Sequence, residues 1–169
     1  MPRRAAPIPR SHPARHFDLV SHWRLRAPVE AVWEALADPD GWPAWWPCVR
    51  SVRTLREGHA GGVGQVRRIH WSTRLPYDIQ IEVESVEVVR LQRLRARSRG
   101  ALQGEGLWLL REQDGHTDVT YVWRVRLVQR WMRWLAPALA PVFRWNHDQV
   151  MRSGEAGLRR HLAGRSGAP

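Results

Sequence analysis

Between residues 48 and 128 the sequence contains six segments typical of β-strands, separated by short runs of turn-forming residues. Short links between consecutive strands favour hairpins, and Asp114-Gly115 is the strongest hairpin signal among them. Such a chain folds into an antiparallel meander, in which each strand pairs with the next one along the sequence. The predicted strands are 48–57, 63–72, 77–88, 91–99, 103–112 and 117–128.

The residues before the meander predict one strand and two short helices. Apolar and polar residues alternate over 16–26, which is the period of a half-buried strand. Over 27–38 the apolar residues recur every three or four positions and Pro28 stands at the first helical position, so this segment is predicted as a helix. Residues 39–46 hold three tryptophans and are predicted as a second, tighter helical turn.

The residues after the meander return to helical periodicity. A basic and aromatic connector at 129–135 is followed by Pro137 and Pro141, and a helix is predicted over about 139–163. One stripe of this helix carries Phe143, His147, Val150, Met151, Gly154, Leu158 and Leu162. A helix with this face, placed after a series of amphipathic strands, is more typical of a lid over a ligand cavity than of a solid core.

Gly154 and Gly157 lie inside this predicted helix. Each glycine costs a helix about 1 kcal/mol relative to alanine, so both are poor choices on propensity alone. Small residues allow a helix to approach another surface closely, and we expect such a contact here.

Length and composition indicate one domain. The 169 residues are predicted to form a single domain over 16–163, with a disordered leader at 1–15 and a disordered tail at 164–169. No apolar run approaches the ~20 residues of a membrane span, and no secretory signal is visible, so a cytoplasmic location is predicted. The single cysteine, Cys48, excludes an internal disulfide and is interpreted as a buried structural thiol rather than a nucleophile.

The formal charge of +11 does not by itself indicate nucleic-acid binding. All 27 basic residues are arginine, which indicates the coding bias of a GC-rich genome, and they are dispersed along the chain. Arg93, Arg95, Arg97 and Arg99 alternate on one strand and are predicted to form a solvated outer face. Nucleic acid is therefore not a predicted partner. No metal site and no cofactor are predicted, since no histidines and acids show ligand spacing.

Four segments carry a resemblance to a known superfamily: 27–47, 75–77, 104–108 and 146–158. The chain resembles the SRPBCC (START/Bet v 1-like) superfamily, particularly its polyketide cyclase/dehydrase-like branch, over about 16–163. The resemblance implies an α+β helix-grip fold, in which a curved seven-stranded antiparallel sheet (order β-α-α-β6-α) wraps around a long C-terminal helix. It also implies an internal cavity for lipids, sterols, polyketides or other apolar molecules. Superfamily members include carriers, sensors and cyclases, so the fold alone leaves the function open.

Strand alternation and the helix stripe predict which side chains face this cavity. On the last strand Val119, Val125 and Leu127 are expected to point inward, while Arg124 and Arg126 point outward. For Trp108, the sequence supports simple packing in the hydrophobic core as well as it supports contact with a ligand. The predicted ligand-binding residues are Tyr77, Ile79, Ile81, Trp108, Tyr121, Trp123, Phe143, Asn146, His147, Val150 and Met151.

Three functions remain open at this point. The first is a carrier or sensor that encloses an apolar small molecule. The second is a metal-free cyclase or dehydratase, in which Tyr121, His147 and an inward Arg68 position an enol and move protons. The third is a peripheral membrane or protein-interaction module, with Trp131 and Trp134 of the connector at the headgroup level.

Two structural questions stay open beside these functions. The alternation of strand 63–72 does not decide whether Arg68 and His70 or Ile69 and Trp71 face the cavity. Both a monomer and a homodimer fit the sequence, which also leaves the ligand unidentified.

Overall fold

The computed structural model describes the backbone of residues 16–72, 78–127 and 130–166, and the side chains of 17–72, 78–126 and 140–165. The strands are β1 (His16–Leu25), β2 (Val49–Arg56), β3 (Val66–Ser72), β4 (Asp78–Val89), β5 (Arg93–Gly100), β6 (Leu102–Gln113) and β7 (His116–Leu127). The helices are α1 (Val29–Ala37), α2 (Trp42–Trp45) and α3 (Arg130–Ser166), and a 3₁₀ turn, Pro39–Gly41, precedes α2.

The seven strands form one antiparallel sheet in the order β1-β7-β6-β5-β4-β3-β2. Strands β2 to β7 follow one another across the sheet, which confirms the predicted meander. Strand β1 is the exception, because it pairs with β7, the last strand of the sequence. The sheet curves around α3, and the predicted α+β helix-grip fold is confirmed.

Two predicted boundaries are wrong. Helix α3 begins at Arg130 rather than near 139, so the predicted connector is its first turns and both Pro137 and Pro141 lie inside it. A proline removes one backbone hydrogen bond from a helix. It does not prevent the helix from forming where other interactions stabilise that helix. Strand β3 begins at Val66 rather than 63, because the backbone at Gly64 has φ of +84°, which an extended strand does not use.

Two glycines of α3, Gly154 and Gly157, bring this helix against Trp45 and Trp46 at the end of α2. Gly157 faces the backbone carbonyl of Trp45, and a Cβ at Gly154 would lie 2.5 Å from the Trp46 ring. The Trp46 indole N–H also donates to the Val150 carbonyl of α3 over 3.0 Å. The close approach expected of these glycines is therefore confirmed, and it fixes one end of the helix over the sheet.

The convex face of the sheet is a lattice of ion pairs. Arg93 and Arg95 both contact Glu87 of β4, and Arg97 contacts Glu105 of β6. With Arg99 on Glu84, all four alternating arginines lie at the surface, as predicted. Acidic neighbours offset much of the positive charge on this face.

Candidate functional site

A cavity of about 110 Å³ lies between α3 and the concave face of the sheet. Its wall combines the inner faces of the strands with one stripe of α3 and two tryptophans of the α2 region. Ten residues predicted from the sequence line it, namely Ile79, Ile81, Trp108, Tyr121, Trp123, Phe143, Asn146, His147, Val150 and Met151. The structure thus brings these side chains together, while their contact with a ligand stays a prediction.

Tyr77, the remaining predicted ligand-binding residue, lies outside the described residues. Trp131 and Trp134 belong to the first turns of α3, but their side chains also lie outside the described part. Membrane contact through these tryptophans stays a prediction.

The inner face of β3 carries Ile69 and Trp71, not Arg68. Ile69 is buried and Trp71 lines the cavity, while Arg68 lies on the opposite face and contacts Glu82 over 2.7 Å. The candidate role of Arg68 as a catalytic or anion-binding group inside the cavity is therefore wrong. Successive strand residues point to opposite faces, so an inward Trp71 requires an outward Arg68.

Stacked aromatic rings form part of the cavity wall. The Trp108 and Tyr121 rings stack with centroids 4.1 Å apart, and the imidazole of His147 lies 5.5 Å from the Trp123 ring. Trp46 continues this wall and stands 6.3 Å from Trp108. Rings locked in contact present a rigid apolar surface, which suits a planar guest.

His147 lies on α3 with a side chain that is only 6% exposed. Its Nε2 and the Ser21 hydroxyl of β1 form a hydrogen bond of 3.2 Å. Burial lowers the pKa of His147 to about 4, although the neighbouring Asp148 carboxylate raises it slightly against that effect. The imidazole is therefore neutral at pH 7.

Tyr121 lies on β7 with its phenol over Gly106 of β6. A Cβ at position 106 would lie 2.8 Å from the Tyr121 hydroxyl oxygen, so glycine provides the room that the ring occupies. Burial raises the pKa of Tyr121 far above its usual value, and the phenol stays protonated at neutral pH.

Two buried polar atoms of the cavity residues have no hydrogen-bond partner among the described residues. The Nε1 of Trp71 and the Oδ1 of Asn146 are fully buried and form no hydrogen bond with any described residue. Most buried polar atoms in native proteins do have a partner, so these atoms require an explanation. Ser98 carries a third such atom but does not line the cavity.

Metal and membrane features are limited among the described residues. They contain no group of three or more His, Cys, Asp or Glu side chains able to hold a metal ion. Cys48 is partly buried, with its thiol 3.7 Å from the Ser153 hydroxyl. None of the helices in these ranges is both long and apolar enough to cross a membrane.

Seven cavity residues were not among the predicted ligand-binding residues. Phe17 and Leu19 had a usable signal, because they alternate on the same face of β1 as Trp23. Trp42 and Trp46 had no such signal in the sequence, since α2 has only four residues and shows no periodicity that fixes its inner side. The seven are Phe17, Leu19, Trp42, Trp46, Trp71, Leu102 and Val125.

Solved structures with the same fold include enzymes and proteins of other kinds. The Zhui aromatase/cyclase from Streptomyces sp. R1128 is 17% identical with a TM-score of 0.70, covering 90% of this chain and 97% of that one. A START superfamily protein from Mycobacterium smegmatis is 10% identical with a TM-score of 0.71, covering 87% and 97%. The major latex-like protein 151 of Panax ginseng is 12% identical with a TM-score of 0.65, again covering 87% and 97%. At these identities the likeness shows the fold alone.

Sequence comparison supplies the family. No curated protein matches the chain. The family model described as "Polyketide cyclase / dehydrase and lipid transport" matches residues 17–162, which is nearly the whole domain. The chain therefore belongs to this polyketide cyclase-like family of the SRPBCC superfamily.

Proposed function

We propose that the protein is a carrier or sensor that encloses an apolar small molecule between α3 and the sheet. The observation that carries this proposal is the cavity itself, whose lining is aromatic and aliphatic apart from a few uncharged polar groups. Burial of apolar ligand surface contributes roughly 25 cal/mol per Å², so shape and a few polar anchors suffice for binding. The family description, which joins cyclases with lipid transport, fits such a ligand class.

The size of the cavity limits the guest. An apolar cavity of about 150 Å³ engineered in another protein binds benzene, so about 110 Å³ corresponds to a guest of roughly one ring. A larger guest has to displace lining side chains. Met151 is the most adaptable of these, because its unbranched side chain rotates about three bonds.

The polar groups of the cavity support binding better than proton transfer. A general acid or base works best with a pKa near the working pH. Burial moves the pKa of His147 down to about 4 and that of Tyr121 upward, so both groups move away from neutrality. The arginine that the cyclase hypothesis required lies outside, paired with Glu82.

Native mass spectrometry of the purified full chain tests the proposal. We expect a defined apolar molecule of constant mass to accompany the protein and to be released on denaturation. Val150 lines the cavity, so Val150→Phe should fill it and abolish the adduct. Val142 lies on the same helix but is 39% exposed, so Val142→Phe is a matched control that should keep it.

Two results would contradict the proposal. One is a wild-type protein that carries no adduct and whose melting temperature is unchanged by toluene, naphthalene and long-chain alcohols. The other is an adduct that persists equally in Val150→Phe and Val142→Phe. Circular dichroism of both variants establishes that they fold before the comparison is made.

A further inference from the structure

Among the residues that the structure describes, seventeen side chains line the cavity, and none of them carries a formal charge at pH 7. The only titratable groups among them are His147 and Tyr121, and burial keeps both in their neutral forms. An ion transferred into such a site loses its hydration without gaining a counter-charge, and this costs several kcal/mol. The described lining of the cavity therefore disfavours the binding of ionised guests.

The same lining nevertheless holds two buried polar atoms with no hydrogen-bond partner among the described residues, Trp71 Nε1 on β3 and Asn146 Oδ1 on α3. A third polar group of the lining is the Tyr121 hydroxyl on β7. Asn146 is the most constrained of them, since its side chain is only 8% exposed and its Oδ1 has no partner among the described residues. A guest that supplies hydrogen bonds to these groups gains more than one that supplies apolar surface alone.

We propose that the cavity selects an uncharged aromatic guest bearing a hydroxyl or carbonyl oxygen, and that Asn146, Tyr121 and Trp71 determine this selectivity. This inference rests on the proposed function. The Trp71 indole only donates, so it pairs with an acceptor oxygen of the guest, whereas Asn146 Oδ1 accepts from a guest hydroxyl. The Tyr121 hydroxyl does either, which lets one site take a phenol or a ketone.

Three single-ring probes of similar shape separate the effects of charge and polarity. They are toluene, p-cresol and p-toluate, measured with the full-length protein at pH 7 by isothermal titration calorimetry. We expect p-cresol to bind about 2- to 12-fold more tightly than toluene, which corresponds to one net hydrogen bond. Binding of p-toluate should be at least about 100-fold weaker than that of toluene, because none of the described lining residues offers its carboxylate a cation.

Variants identify the groups responsible. Asn146→Leu keeps the approximate volume but removes the amide, so the ratio of p-cresol affinity to toluene affinity, both measured on the same variant, should fall toward one. Gln149 carries the same amide on the same helix without lining the cavity, so Gln149→Leu should leave both affinities unchanged. Tyr121→Phe should likewise lower the ratio of p-cresol affinity to toluene affinity, by at most the roughly 2- to 12-fold that one net hydrogen bond contributes.

The indole N–H signal of Trp71 in a ¹H–¹⁵N spectrum gives a direct readout. The signal is assigned by its loss in Trp71→Phe, and we expect it to move downfield with p-cresol but not with toluene. If Asn146→Leu does not fold, the wild-type affinity ratio and this signal decide the question.

The outcomes separate the two proposals. If toluene and p-cresol both fail to bind, the proposed function itself is contradicted. If toluene binds as well as p-cresol, or p-toluate binds as well as either, the function stands and the selectivity inference is overturned.

Discussion

Replacement of Gly157 by alanine should destabilise the protein, although alanine is the better helix former. A Cβ at this position would overlap the Trp45 carbonyl oxygen, and backbone atoms cannot rotate away as a side chain can. Overpacking of this kind costs up to about 3 kcal/mol, whereas the gain in helix propensity is about 1 kcal/mol. We therefore expect a net loss of about 2 kcal/mol, or a fall in Tm of about 4–8 °C.

Thermal unfolding followed by circular dichroism measures this effect, and Gly164→Ala is the matched control. Gly164 lies in the last turns of the same helix, and a Cβ there would meet nothing within 4 Å. Its replacement should leave Tm unchanged or slightly raised. A Gly157→Ala protein as stable as the wild type would refute the claim that α3 lies in direct contact with the Trp45 backbone.

Three further predictions follow from other contacts. Because the pKa of His147 is lowered to about 4 in the folded protein, the unfolded chain binds a proton more readily. The resulting stabilisation of the folded state, up to about 3 kcal/mol, should be complete above about pH 6.5 and lost as pH falls to about 4. In urea titrations the slope of the unfolding free energy against pH should differ between wild type and His147→Gln within that window and agree outside it. Arg68→Ala should change the free energy of unfolding by less than about 1 kcal/mol, because the ion pair between Arg68 and Glu82 is exposed. Calorimetry should show an unaltered affinity for toluene. A loss of toluene binding would show that Arg68 faces the cavity. Thr117→Val should lower the free energy of unfolding in urea by about 1–3 kcal/mol, because the fully buried Thr117 hydroxyl donates to the Ala27 carbonyl over 2.7 Å. An unchanged urea midpoint would show that this hydrogen bond is dispensable.

Much of the fold could be predicted because its strands have a clear period and short turns. On β7 the alternation correctly placed Val119 and Val125 inward and Arg124 and Arg126 outward. The helix stripe was equally informative, since spacings of three and four residues put His147 and Met151 on one side. Local periodicity determines which side of an element is apolar, and the core then covers that side.

The remaining features depend on contacts between distant residues. Strand β3 has apolar and basic residues of comparable size on its two faces, so only packing against Trp42 and Trp46 reveals Trp71 as the inner one. The hydrogen bond between Ser21 and His147 joins residues 126 positions apart. No pattern within a single element encodes such a pair. The start of α3 was missed because Pro137 and Pro141 were interpreted as a boundary, whereas the helix continues through both.

The pairing of β1 with β7 affects how the protein is made. The first strand of the sheet, His16–Leu25, pairs with β7, which ends at Leu127, about one hundred residues later in the sequence. During synthesis its hydrogen-bonding edge stays open until nearly the whole domain has left the ribosome, and closure of such a long loop slows folding. The cavity is lined by residues of β1, β7 and α3, so its wall can be complete only after α3 has been synthesised.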